Sequence, residues 1–310
     1  MPSRHAVLFG LNYETTLPSQ ECNVDDSYKH FTVDKKFTFQ GLRALKGSVN
    51  DVNKIKAMLS DWHFDDIRTF TDELVCPNSN CPRAHLAPTN QTTAAGILQE
   101  MNALAMRSVD ENLEVAWIHF SGNGISRYDN SYDERDWYDE CVVPSDFKTA
   151  GHVSDDDIRE VLRKFNPDTK VICVFDCGHS GTMGDLKYRF LESGDSVHST
   201  IRTRWSTMML EHNKDACEAK VVLISGCSDA QVTVEIPNGN REEKDDDNNY
   251  SGALTSSLLD AVKSLGSVPE SIKIHELVQT IRTTLKEKVY NSQHPELTCS
   301  YFIEKEDTLF

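Results

Sequence analysis

The chain is predicted to fold as an α/β protein, a mainly parallel central β-sheet sandwiched between α-helices, and three observations predict it. Short apolar runs rich in β-branched residues alternate with longer segments of helical period, the pattern of strand–helix–strand units. The run Lys170-Val-Ile-Cys-Val-Phe175 is apolar at nearly every position, as a strand covered on both faces must be. Two strands stop in small-residue loops, Phe120-Ser-Gly-Asn-Gly124 and Phe175-Asp-Cys-Gly-His-Ser-Gly181, and the carboxyl ends of parallel strands are where such folds place a site. Gly-rich turns after strands also arise for steric reasons alone, so the loops by themselves leave that point open.

Taken in order, residues 5–11 read as the first strand. Residues 49–62 read as a helix, because Val52, Ile55, Met58 and Leu59 fall on one face. A strand over 67–70 and a loop through Pro88 lead to a helix over 89–106, whose stripe is Ile97, Leu98, Met101, Leu104 and Ala105. Residues 113–120 form the next strand. Ser154 as N-cap, with Asp157 at the capping-box position, opens a helix that runs to Phe165. The strand over 170–175 follows, then a buried strand over 221–224 that ends in Ser225-Gly-Cys-Ser-Asp229. The most polar run, 238–249, reads as a solvated loop. Helices over 252–265 and 272–289 and a last strand over 300–303 complete the chain, and no internal repeat is found.

At 310 residues the chain is long enough for one large domain with a proper core. Lys and Arg total 32 against 49 Asp and Glu, a formal charge of −17. Nucleic acid and anionic membrane are therefore poor partners, whereas cations and basic peptides suit the field, although solubility alone also accounts for it. The N-terminus lacks the apolar stretch of a signal peptide and no run is long enough to span a bilayer, so a cytoplasmic protein is expected. Nine Cys, an odd count with scattered spacing, fit reduced thiols. Cys76 and Cys81 would make a local disulfide or half a metal site, but no second pair completes a zinc site.

The two strand-end loops, in their order and spacing, resemble the metacaspases, caspase-like cysteine peptidases. In that family one strand ends in His-Tyr-Ser-Gly-His-Gly with the catalytic His, and a later one in Asp-Ser/Cys-Cys-His-Ser-Gly with the nucleophilic Cys. Here they read His119-Phe-Ser-Gly-Asn-Gly124 and Asp176-Cys-Gly-His-Ser-Gly181. Leu45-Lys-Gly-Ser-Val-Asn-Asp51, Asp136-Trp-Tyr-Asp-Glu-Cys-Val-Val-Pro-Ser-Asp146, Ser225-Gly-Cys-Ser-Asp-Ala-Gln231 and Ser251-Gly-Ala-Leu-Thr255 also match family patterns, so the resemblance covers essentially the whole chain.

What the resemblance implies is a caspase-like fold in one domain over 1–310, with a large-subunit-like half to about residue 200, a small-subunit-like half from about 218 and no prodomain. It places the catalytic His and Cys at Asn123 and Gly178. Gly carries no nucleophile and Asn no basic nitrogen, so the usual dyad is missing. Cys177 adjoins the substituted position as a displaced nucleophile, or as a small residue packed beneath the loop. His179 orients the loop, and the N–H groups around Gly122 and Gly178 are candidates for an oxyanion pocket.

The resemblance further implies a pocket for a basic P1 residue built on Asp51, Asp176 and Ser121, with Ser48 replacing a family Cys. Paired carboxylates suit Arg or Lys by charge-assisted hydrogen bonds. Its calcium site matches Asp139, Asp155, Asp156 and Asp185, an all-oxygen set that suits Ca²⁺. Without the resemblance, Asp155 and Asp156 serve equally as helix-start charges. Asp133, Glu134 and Asp136 add negative field. Lys187, Arg189, Arg202 and Arg204 lie where family members cut themselves. The expectation is thus a monomeric pseudoenzyme that binds calcium and basic peptide without cutting, the alternative being an inactivated form of a calcium-activated endopeptidase that cuts after Arg or Lys.

Overall fold

The computed structural model describes residues 3–13, 42, 44–72, 90–128, 138–190, 208–210, 217–228, 231–237, 250–289 and 293–310. Cys76, Cys81, Asp133, Glu134, Asp136, Arg202, Arg204 and the polar run 238–249 lie outside the described residues.

Strands β1 (Arg4–Gly10), β2 (Asp66–Thr71), β3 (Val115–Ser121), β7 (Lys170–Asp176) and β10 (Lys220–Ser225) form the parallel part of one eight-stranded sheet. Its order is β2-β1-β3-β7-β10-β13-β8-β9, and the last three, β13 (Glu296–Cys299), β8 (Tyr188–Phe190) and β9 (Met208–Leu210), are antiparallel. The sheet is thus mainly parallel, as predicted, and the antiparallel strands extend one edge.

Alternation along each strand divides the core into two layers. Trp117 and Val174 face helices α1 (Ser48–Asp61), α5 (Ala253–Ser264) and α6 (Ile274–Val289). Ile118, Phe120 and Phe175 face α2 (Ala94–Asp110) and α4 (Asp155–Leu162). A short helix α3 (Phe147–Ala150) completes the set. Ser154 and Asp157 form the expected capping box at the start of α4. Among the described residues no helix is long and apolar enough to cross a membrane.

Two small sheets were not anticipated. Strands β4 (Gly124–Tyr128), β5 (Tyr138–Val142) and β6 (Val153–Ser154) make an antiparallel flap next to β3, and β11 (Glu235–Pro237) pairs with β12 (Tyr250–Gly252). The last strand lies four residues earlier than predicted. Ser300 ends it: its N–H donates to the Val221 carbonyl, while its hydroxyl donates to the Ala219 carbonyl and accepts the Val221 N–H. This side-chain competition closes the ladder at Cys299 and leaves Phe302 exposed.

The start of α1 ties distant segments to the carboxyl edge of the sheet. No side chain of its own caps it; the Asn12 Oδ1 accepts the Ser48 N–H, and the Glu235 Oε1 accepts the N–H groups of Lys46 and Gly47.

Candidate functional site

Strands β3 and β7 run side by side with Ser121 opposite Asp176, so the two small-residue loops leave the sheet abreast. The Gly122 N–H donates to the Asp176 carbonyl at 3.2 Å, which extends the ladder by one bond and takes that group out of the expected oxyanion pocket. A side chain at Gly124 would collide with the Gly178 carbonyl, so glycine there lets the two loops touch.

Position 178 differs. Its backbone is outside the left-handed region, and an added Cβ would meet only the Gly124 oxygen at 3.4 Å and Val232 at 3.4 and 3.5 Å, ordinary contact distances. Asn123 is pinned through its backbone: its N–H donates to the Tyr13 hydroxyl at 2.9 Å and its carbonyl accepts the Val143 N–H at 3.0 Å. Tyr13 in turn donates its hydroxyl to the Val143 carbonyl, and the Asp72 carboxylate holds the Asn12 and Tyr13 N–H groups at 2.8 and 2.7 Å. The loop frame is therefore intact around a position without a thiol and one without a basic nitrogen.

Cys177 is fully buried in the α2–α4 layer, and burial, then the nearby Cys227 and Asp176, push its thiol up. His179 takes a left-handed backbone and donates its N–H to the Gln231 carbonyl at 2.9 Å, which joins this loop to the one after β10.

Below the loops sits a cluster of buried acids. Asp51, in the first turn of α1, and Asp176, at the end of β7, are both buried, and Gly252 lies between them. The Ser121 hydroxyl donates to the Asp51 Oδ2 at 2.7 Å, the Ser251 hydroxyl donates to Oδ1, and the Gly252 N–H reaches both oxygens at 3.1 and 2.9 Å. Thr255 gives its N–H and hydroxyl to the Asp176 Oδ2, each at 2.8 Å. The other Asp176 oxygen, Oδ1, is buried and accepts nothing.

Burial, then repulsion from Asp176, raises the Asp51 carboxyl well above its usual range, against the pull of Ser251 and Ser121. Burial likewise raises Asp176; the Thr255 bonds oppose this, and Glu235 adds to it. Glu235 stands opposite Gly252 across β11 and β12 and is itself raised by burial. Three carboxylates in a desolvated pocket call for a proton or a cationic group. Asp51, Asp176 and Ser121, which the resemblance grouped as a basic P1 pocket, are neighbours in the structure. Sequence reading marked Ser251 to Thr255 only as a matching motif and gave Glu235 no role, since nothing local signals either.

Of the four acids expected for calcium, Asp155 and Asp185 are close neighbours. Asp139 is held by Arg127. The Asp155 oxygens accept the Glu140 and Asp156 N–H groups at 3.1 and 2.8 Å. Burial, then Asp185 and Glu140, push Asp155 up, so Glu140 joins this cluster although the sequence gave it no part. Among the described residues no three His, Cys, Asp or Glu side chains are set to hold a metal ion. Of the basic residues expected near a self-cleavage site, Arg189 is paired with Glu296 and the Lys187 Nζ lies over the Tyr188 ring, 5.2 Å from its centroid.

Comparisons with known proteins agree with this geometry at the level of family and fold. The family model described as metacaspase, peptidase C14 domain, matches residues 4–187. Metacaspase-1B of Aspergillus oryzae is 27% identical over 296 residues, 83% of this chain and 64% of that protein. Metacaspase-1 of Meyerozyma guilliermondii is 26% identical over 94% of this chain and 76% of its own length. Metacaspase-3 of Trypanosoma cruzi is 31% identical over 63% of this chain and 51% of its own. The chain thus spans less than two-thirds of the Aspergillus relative. Among solved structures, protein GSU0716 from Geobacter sulfurreducens superposes with a TM-score of 0.53 at 18% identity, covering 98% of this chain and 95% of that one, which is a likeness of fold.

Proposed function

The chain belongs to the metacaspase, peptidase C14 family, and from that premise we propose that it holds a basic side chain of a peptide in the Asp51–Asp176 pocket without hydrolysing the peptide bond. One observation carries the reading: two buried carboxylates, positioned by Ser121, Ser251, Gly252 and Thr255, with Asp176 Oδ1 unbonded, lie beneath a loop pair that carries Asn123 and Gly178 where a base and a nucleophile would be needed. An Arg or Lys side chain supplies the missing donors and the compensating charge. With neither thiolate nor imidazole available, the bound carbonyl meets no attacking group and the leaving amine no acid.

A second reading, an inactivated form of a working endopeptidase, is favoured by the room at position 178, where a Cβ meets only ordinary contacts. Both readings are tested with an Arg-containing reporter peptide. The chain as it stands is expected to bind the peptide and leave it whole. Recovery of cleavage by Asn123→His with Gly178→Cys supports the second reading; peptide binding that persists without cleavage in the folded double variant supports the first. Turnover that survives in the unaltered chain and vanishes in Cys177→Ala would refute both.

A further inference from the structure

We infer that Val232 caps position 178, so that the place a nucleophile would occupy is shut off from solvent and substrate in the folded chain. The inference rests on the reading above for the role of position 178, but not on peptide binding. Loops at the carboxyl ends of parallel strands ordinarily open to solvent and ligand, yet Gly178 is buried. The direction a side chain would take there identifies the cover. A Cβ at position 178 would stand 3.4 Å from the Val232 Cα, 3.5 Å from its Cγ1 and 3.4 Å from the Gly124 carbonyl oxygen. Val232 itself is 59% exposed, so its isopropyl group lies between a buried position and the solvent.

Bonds on either side of Val232 hold the cap in place. Before it, the Gln231 carbonyl accepts the His179 N–H at 2.9 Å and the Cys227 thiol at 3.2 Å, and the Gln231 N–H donates to the Ser228 carbonyl at 2.9 Å. The Gln231 Oε1 also accepts the Ser228 and His294 N–H groups at 3.3 and 3.0 Å. After it, the Val234 N–H donates to the Oε1 of buried Gln293 at 3.1 Å, and the Val234 carbonyl accepts the Ala253 N–H at 2.9 Å. The Gln293 Nε2 in turn donates to the Gly226 carbonyl at 2.7 Å. Thr233 is seated on Gly226, where an added Cβ would come within 2.5 Å of the Thr233 Cγ2. The cap is therefore part of the fold, not a side chain free to swing. A bare Cβ fits beneath it at contact distance, but a carbonyl brought to within about 3–3.5 Å of a nucleophile from that side would need the space that Val232 fills.

The test uses Gly178→Cys in the full chain as a probe of access. The protein is treated with iodoacetamide from about pH 7 to about pH 10, and modification at position 178 is followed by peptide mass spectrometry. The pH range separates access from thiol ionisation, because only the thiolate reacts. At its plateau the introduced thiol is expected to react at least about tenfold more slowly than glutathione; adding Val232→Gly should raise that rate at least about tenfold, while Val232→Ile should leave it slow. A thiol at position 178 that reacts within about twofold of glutathione with Val232 in place would overturn the inference, as would a rate unchanged by Val232→Gly. Since Val232 is largely exposed, its truncation should leave the Tm within about 2 °C of the parent; should the glycine variant fail to fold, Val232→Ala gives the same comparison. Labelling requires no peptide, so failure to bind an Arg peptide would count against the acidic pocket and leave the cap standing, whereas fast labelling beside intact peptide binding would do the reverse.

Discussion

The packing around the acidic pocket predicts opposite outcomes for the same chemical change at two glycines. Gly252 has φ −61 and ψ 141, a backbone that alanine adopts without strain, so any cost of Gly252→Ala comes from contact alone. The new methyl would overlap the Asp176 Oδ2, and it would stand 2.6 Å from the Asp176 Cγ and 2.8 Å from the Asp51 Oδ2. Contact distances of about 3.5 Å require the carboxylate to withdraw by roughly 1 Å or more. That motion stretches both 2.8 Å bonds from Thr255 beyond hydrogen-bonding range. Hydrogen bonds to a charged group contribute about 1.5–3 kcal/mol and overpacking costs about 1–3 kcal/mol, so about 3–6 kcal/mol is expected, or a Tm lower by roughly 5–9 °C in a chain of 310 residues. Gly178→Ala, which meets neighbours only at 3.4–3.5 Å, should change stability by less than about 1 kcal/mol. Thermal melts of both variants, with anisotropy of a fluorescent Arg peptide as the second readout, check the pair. A Gly252→Ala protein that melts with the parent and still binds peptide would refute the idea that the two carboxylates are locked about position 252. A Gly178→Ala protein less stable than Gly252→Ala would refute the claim that position 178 has room for a side chain.

The pocket also sets a pH dependence. Asp51 and Asp176 are raised in the folded chain, so the folded state binds more protons than the unfolded one, and the stability of the empty protein falls as the pH rises from the usual carboxylate range through the raised values. Affinity for a basic peptide moves the other way, rising over the same window as the pair ionises, and Asp51→Asn should flatten both curves; a peptide affinity independent of pH from about 5 to about 8 would count against the pocket. His119 is fully buried on β3 with neither ring nitrogen bonded, and burial lowers its pKa to about 3. Its contribution has the opposite sign, with stability lost as the pH falls below the unfolded value, by roughly 3 kcal/mol at about pH 4.5. The advantage of His119→Leu over the parent in urea unfolding should therefore widen on acidification, and a constant difference would show that the ring is solvated or bonded. Cys177 should resist iodoacetamide in the native protein and be modified only on unfolding, as judged by peptide mass spectrometry; native labelling would place its thiol at the surface.

Which parts of this arrangement could be read from the chain alone follows from the distances over which each signal acts. Periodicity acts within an element, and so the α1 stripe of Val52, Ile55, Met58 and Leu59 and the doubly covered strand β7 were legible. Ser121 and Asp176, grouped in the sequence only by the family resemblance, lie abreast at the carboxyl ends of parallel neighbours. The flap β4-β5-β6 was not legible, because its strands are two to five residues long and carry no clear alternation. That single omission propagates to the site. With the segment Tyr138-Asp-Glu-Cys141 taken as a loop, the faces of Asp139 and Glu140 are undefined; once it is a strand, the twofold period sends them to opposite faces, one to Arg127 and the other to Thr182. The same limit applies at the pocket, where Asp51 is completed by Ser251 and Gly252 some 200 residues away in the sequence. The Lys46 and Gly47 N–H groups, just ahead of α1, would be left without an acceptor were Glu235 not there. A sequence can announce that those amides need a partner; only the pairing of β11 with β12 beside α1 determines that the partner is an acid, and so adds a third carboxyl group next to Asp51 and Asp176.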